Sequence, residues 1–292
     1  MFIGHKYYHN IYGDKMTNPL SQYFRQPSIY IKLPSQGQNY PQGSLIIPQN
    51  GELPVYPMTA IDEITYRTPD ALFNGQATVN VIQSCIPNIK DAWAVPSIDL
   101  DTILIAIRIA SYGHDMEFAT TCPKCQNTSE RTIDLRSMLD VLRAPDYTVN
   151  IRYNDLEIYF RPLSYKNLNE NSQLQFEQQK LLQVIPDSTI SEADKMDALT
   201  KAFKQLTEIT IRSLSISITT IKTPQALVTE QPYIEEFLKN CDRELFNQIR
   251  DHVLKLREQS ELQPLKLKCE TCENEYEQAL TLDMTSFFAP AS

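Results

Sequence analysis

The stretch Thr120–Leu135, TTCPKCQNTSERTIDL, places Cys122 and Cys125 two residues apart. Near the other end, residues 267–282 read LKCETCENEYEQALTL and place Cys269 and Cys272 with the same spacing. Both units share one layout: an approaching strand, a C-x-x-C turn followed by an asparagine, and a departing strand. Around the first pair the strands are predicted over 115–122 and 128–135. Such a turn points two sulfurs at one metal ion. Two of them supply the four ligands, Cys122, Cys125, Cys269 and Cys272, that a tetrahedral zinc shell prefers.

This reading predicts one structural Zn²⁺ per chain, bound by a split, zinc-ribbon-like site. The long helical region between the pairs would be an insertion whose ends meet again. Closing a long loop costs entropy that grows only logarithmically with length. Zinc binding, worth roughly 10–16 kcal/mol in small finger peptides, can offset that cost. Four thiolates leave no coordination position for water or substrate, so the expected metal is structural, not catalytic.

Other readings of the cysteines stay open at this level. A redox dithiol usually sits at a helix N-terminus, which lowers the thiol pKa, whereas QNTSERTIDL after Cys125 reads as turn and strand. Two separate sites shared between subunits and plain core packing are further alternatives. Core packing is the expectation for Cys85 and Cys241, which lack partners at metal spacing.

Bulk composition narrows the function classes. The chain has 292 residues, 42% hydrophobic and 22% charged, enough for a self-sufficient core. Its longest apolar run, ILIAIRIA at 103–110, is broken by Arg108 and too short to span a bilayer, so no membrane insertion is expected. The formal charge is −9, and the richest basic spots, LKLRE at 254–258 and LKLKCE at 265–270, are short and flanked by acids. Nucleic acid is therefore not an expected partner. Six cysteines without a secretory signal suggest a reducing compartment and not a disulfide framework. Glycine is scarce and proline plentiful, and no phosphate-cradling fingerprint is present.

The pattern along the chain gives an α+β fold: a mainly helical body with small antiparallel β elements. Residues 1–16 read as a flexible extension or a start-site artefact, with Met16 an alternative initiator. Residues 17–58 form a Pro-rich extended segment with short strands in SIYIKLP and ELPVYPM. Residues 59–163 hold a helical core, the first knuckle and a β-hairpin. In that core TAIDEITYRT opens on a Thr59 cap with Asp62 at the third helical position. DALFNG reads as a short helix ended by Gly75, and ATVNVIQSCI as another helix. SIDLDTILIAIRIASYG, 97–113, is predicted as a buried central helix, with Ser97 as N-cap, Asp99 and Asp101 in the first turn and Gly113 as a left-handed stop. TVNIRYNDLEIYFRP reads as a hairpin turning at Asn154-Asp155. Residues 164–262 read as a helical insertion, with Met196, Leu199, Phe203, Leu206 and Ile209 forming one apolar stripe. Its helix end around SISITTIK is rich in β-branched residues and its boundary is open. Residues 263–292 carry the second knuckle and a C-terminal strand and tail.

No catalytic constellation is legible. His114, Asp115 and Glu117 read as polar residues of a helix-to-strand turn. His252 lies on an amphipathic helix, and His5 and His9 fall in the N-terminal extension. Trp93 is expected to pack beneath the start of the central helix. No serine-protease arrangement, H-E-x-x-H motif or EF-hand loop is present, so an enzyme is not expected.

An ordered series of motifs adds a resemblance. LPSQGQNYPQGS, then ELPVYPMTAIDEITYRTPDALFNGQATVNVIQSCIPNI, VPSIDLDTILIAIRIASYG and the CPKC knuckle resemble the baseplate hub subunit family of contractile-tailed (T-even-type) bacteriophages. The resemblance runs from roughly Pro34 to Cys125, and more weakly through FRPLSYKNL at 160–168. It implies a structural or assembly protein of the tail baseplate, without a catalytic site, located in the virion and in the host cytoplasm during assembly. Other baseplate and tail proteins would be its partners, within a large symmetric assembly. Cys269 and Cys272 enter the ligand set through their spacing, not through the resemblance. The extended segment and PMTAIDEITYRTPDALFNG are expected to form the main subunit contact, with Tyr56, Tyr66 and Phe73 as candidate anchors or as core residues. A hub assembly factor absent from the mature virion, a zinc-ribbon nucleic-acid binder and a thiol-disulfide enzyme are the alternatives.

Overall fold

The computed structural model describes residues 18–66, 75–184 and 192–279. An extended segment opens the described chain. Within it β1 (Ile29–Ile31) pairs antiparallel with β2 (Leu53–Val55), with Ile29 opposite Val55 and Tyr30 opposite Pro54. A two-stranded ladder tolerates Pro54 because it has no central strand. Ile31, Leu53 and Val55 turn inward and join the main core.

Arg25 pins this segment to the helices. Its guanidinium donates to the Pro57 carbonyl, to the Ser84 carbonyl at 2.7 Å and to Ser84 Oγ at 2.8 Å, and lies 3.4 Å from Asp62. Asp62 sits in α1 (Ala60–Tyr66), and the predicted capping box is present there. Asp62 accepts from the Thr59 amide at 2.7 Å, while the Asp62 amide donates to Thr59 Oγ1 at 3.2 Å. The short helix expected in DALFNG lies outside the described residues except for Gly75. That glycine has φ 75° and takes the N-cap position of α2 (Gln76–Cys85).

The central helix is α3 (Ser97–Tyr112), and Ile103, Ile105 and Ile107 are fully buried in it. Its N-cap differs from expectation: Ser97 is the first helical residue and the cap position is Pro96, without a side-chain cap bond. Ser35 of the extended segment meets the first turn instead. Its amide and hydroxyl donate to the buried Asp99 carboxylate at 2.8 and 2.5 Å. Gly113 ends the helix at φ 89°, ψ 175° and not in the expected left-handed helical region. This conformation is essentially restricted to glycine.

A hairpin of β3 (Asp115–Thr121) and β4 (Thr128–Asp134) follows, as expected. The sequence reading missed α4 (Leu135–Val141), which Asp134 starts by accepting the Arg136 amide at 2.9 Å. Its Leu135 and Met138, with Leu142 just beyond, return to the core around α3.

The predicted hairpin of β5 (Ile151–Tyr153) and β6 (Leu156–Phe160) turns at Asn154, φ 51°. It is part of a larger antiparallel sheet in the order β5-β6-β7-β8, with β7 (Ile218–Lys222) and β8 (Leu227–Val228). Four helices lie between β6 and β7 or after β8 in the chain: α5 (Tyr165–Val184), α6 (Glu192–Ser217), α7 (Gln231–Asn240) and α8 (Arg243–Ser260). Ile158, Ile218, Ile234 and Ile249 form the heart of a second hydrophobic cluster beneath this sheet. The stripe expected on α6 is split. Ala202 and Ile209 are buried, while Met196 and Phe203 are 62% and 64% exposed. The described chain closes with β9 (Leu265–Lys268) paired antiparallel to β10 (Glu275–Gln278).

Candidate metal centre

The β3–β4 and β9–β10 hairpins carry the two C-x-x-C turns, and the two turns have the same backbone design. In the first, the Cys122 amide donates to the Asn127 carbonyl at 2.9 Å and the Gln126 amide to the Cys122 carbonyl at 2.9 Å. In the second, Cys269 and Asn274 pair at 2.9 Å, and Glu273 and Cys269 at 3.0 Å. Gln126 and Glu273 occupy equivalent places and both take positive φ, 58° and 54°. That backbone reversal lets each short turn aim both of its sulfurs the same way.

The two turns face each other. The four Sγ atoms lie within 4.8 Å of one another, with Cys122–Cys272 at 3.7 Å and Cys125–Cys269 at 3.6 Å. A regular tetrahedron of sulfurs, each about 2.3 Å from zinc, has edges of about 3.8 Å. The two measured cross-hairpin distances match that edge. A free disulfide would require a far shorter separation, about 2.05 Å, so all four cysteines are thiols here.

The local field favours thiolates at one position of each pair. Backbone amides of Cys125 and Lys124 hold the Cys122 thiol below its ordinary pKa. Those of Cys272 and Thr271 bring Cys269 down to about 6. Cys125 goes the other way, to about 12: the Asn127 amide favours its thiolate, but the Cys272, Cys269 and Cys122 sulfurs together with burial outweigh it. Sulfurs this close resist ionising together without a cation between them. A divalent ion would remove that conflict.

Groups around the sulfurs tie the hairpins together. Asn274 Nδ2 lies 4.0 Å from Cys122 Sγ. Thr120 Oγ1 meets Tyr276 Oη and Gln278 Oε1, each at 3.2 Å. Arg131, on β4, lies 2.7 Å from the Glu270 carboxylate and donates to the Lys268 carbonyl at 2.9 Å. The sequence reading did not single out Arg131, because nothing local marks a partner so distant in the chain.

The remaining candidates fall elsewhere. Cys85 is buried, with its thiol pushed up to about 12 chiefly by burial, and Cys241 is half-buried, raised by burial. His114 Nε2, half-buried, lies 3.6 Å from its exposed neighbour Asp115. The His252 ring packs on Phe160 at 4.6 Å, and Trp93 stacks on Tyr165 at 5.4 Å. Of the three candidate anchors, Tyr66 is only 4% exposed and fills the protein's own core. Tyr56 is half-buried beneath the Arg25 guanidinium, 5.8 Å from its ring centre. Phe73 lies outside the described residues. Exposed apolar residues of this region include Phe24, Ile61 and Ile64.

Among the described residues, no helix is long and apolar enough to cross a membrane. No curated protein and no solved structure matches the chain. A family model does match, from residue 46 to residue 289, and so covers both cysteine pairs and the helical region in which the sequence alone carried little resemblance. Family membership implies a structural component of the virion tail with other tail proteins as partners, and suggests a non-enzymatic role. A match over this much of the chain makes it a member of the T4 bacteriophage base plate protein family.

Proposed function

We propose that the protein is a hub-associated structural subunit of the baseplate, docked on neighbouring baseplate proteins and stabilised by one structural zinc. The observation that carries the zinc reading is the approach of four thiols, from two hairpins distant in sequence, to within 4.8 Å of one another, with two cross-hairpin distances near the edge length of a zinc–thiolate tetrahedron. Cys122, Cys125, Cys269 and Cys272 would hold the ion, which supplies no reactive position and acts as a clasp. On this reading residues 164–262 are an insertion between the halves of the clasp. Pairing of β6 with β7 ties that insertion to the segment before it.

The docking face on this reading is the extended segment together with α1. Ile61 and Ile64 are 75% and 70% exposed on one helix and flank the inward-turned Asp62, and Phe24 is exposed beside the anchored Arg25. Rigidly presented apolar side chains suit an interface core. The test is the protein content of purified virions. Detection at a fixed ratio to other baseplate proteins supports a retained subunit; absence from virions, with presence in assembly intermediates, assigns the chain to hub assembly instead.

A further inference from the structure

Where the two hydrophobic clusters meet, α3, α8 and the end of β6 leave a pocket of about 180 Å³. Its walls are largely apolar, with Leu100, Leu163, Leu168, Val253 and Leu256 among them. Two arginines line it, and both are engaged. Arg257 Nε lies 2.5 Å from the Glu261 carboxylate, and Arg161 Nε donates to the Ile216 carbonyl at 2.9 Å. Asp101 differs: it is half-buried in the pocket wall and makes no hydrogen bond or ion pair with the described residues. Burial and the negative charge of Glu261 push its carboxyl up to about 6, and the charge it feels is a second carboxylate, not an arginine.

We propose that this pocket receives a basic side chain, a lysine or arginine, presented by a neighbouring protein. The aliphatic stem packs on Leu100, Leu163 and Val253, and the cationic head reaches the Asp101 carboxylate, beside the Arg257–Glu261 pair. Long basic side chains combine such a stem with a charged tip, and a charge-assisted bond to a carboxylate is stronger than a neutral one. An uncharged apolar occupant would instead seal Asp101 away from water without a partner, at a cost. An anionic occupant would meet the unpaired Asp101 carboxylate, while Arg257 and Arg161 are already held by Glu261 and the Ile216 carbonyl. The net charge of −9 draws basic surfaces toward the chain in the same sense. That the neighbour is a baseplate protein rests on the reading above; the pocket's preference for a cation on an alkyl stem does not.

The test is titration of the full-length protein with n-hexylammonium, n-hexanol and hexanoate, following the methyl resonances of Leu100, Leu163 and Val253. Hexylammonium is expected to bind saturably and about tenfold more tightly than hexanol, the ratio that one charge-assisted contact gives. Hexanoate is expected not to bind. Asp101→Asn should bring hexylammonium down to the level of hexanol. Should that variant fail to fold, Ser260→Phe, which fills the pocket from α8, should abolish the hexylammonium shifts. Equal affinity for hexanol and hexylammonium, unchanged binding in either variant, or no saturable shift at all would overturn the proposal. None of these outcomes depends on whether the chain is found in virions.

Discussion

Cys125 and Cys269 are 144 positions apart in sequence, and their Sγ atoms lie 3.6 Å from each other. Between them the chain builds the second hydrophobic cluster and the whole of its four-stranded sheet. The two turns meet mainly through side chains: the sulfurs, Thr120 with Tyr276, and Arg131 with Glu270. Contacts of that kind are individually weak where they are exposed. A metal at the sulfurs turns a loose meeting of two hairpins into a fixed joint.

The joint should therefore carry one zinc per chain. Elemental analysis of the natively purified protein is expected to give that ratio, and Cys269→Ser/Cys272→Ser to give none. Chelation should lower the melting temperature of the wild type and leave the double variant unchanged. Zinc-free wild-type protein, purified without chelator, would eliminate the clasp and leave the cysteines as core thiols or a redox pair.

The Arg25 anchor yields a separate expectation. Thr59→Ala removes one half of the capping box and should cost about 1 kcal/mol in chemical denaturation. Arg25→Ala removes bonds to Pro57, Ser84 and Asp62 together, each charge-assisted bond contributing about 1.5–3 kcal/mol. Because those bonds also hold the extended segment, Arg25→Ala should speed protease cleavage around residues 18–28 while Thr59→Ala does not. Equal cleavage in both variants would show that Arg25 does not fasten the segment.

What the sequence made legible was local. The capping box, the buried run of α3, the asparagine hairpin turn and both knuckles are written within a few residues each. Long-range partners were not: Arg25 reaches Asp62 and Ser84, and Ser35 reaches Asp99, across stretches with no repeating pattern. β7 was obscured because α6 runs into it without a glycine or proline, so only its β-branched residues announce the change. On α1 the sequence left Tyr66 open between an interface anchor and a core residue, and helical phase sets which side chains turn inward. Asp62 and Tyr66, four apart, turn inward, and Ile61 and Ile64 turn out. On α6 the apolar stripe includes the exposed Met196 and Phe203, because periodicity marks a face without showing how much of it the rest of the protein covers.

Two glycines of equal φ separate strain from crowding. Gly51 and Gly75 both have φ 75°, which costs an L-residue about 1–2 kcal/mol. A Cβ on Gly51 meets nothing within 4 Å, whereas one on Gly75 would stand 2.6 Å from Asn169 Oδ1 and 3.0 Å from the Trp93 ring. Gly75→Ala should therefore lose clearly more stability than Gly51→Ala and disturb the tryptophan fluorescence, since Trp93 is the single tryptophan. Equal losses with unchanged emission would mean that Asn169 moves aside freely.

Asp101 gives a pH signature with a definite sign. Its carboxyl rises from an ordinary 3.8 to about 6 on folding, through burial first and Glu261 second. Between those values the folded protein binds more protons than the unfolded chain, so this group makes stability fall as pH rises through the window and contributes no slope above it. Asp101→Asn cannot ionise and lacks that contribution. The variant's stability relative to the wild type is expected to grow from pH 4 to pH 6 and then to level off, measured by denaturant unfolding at each pH. A difference that stays flat across the window would mean that the folded carboxyl titrates near its ordinary value, with water reaching it freely.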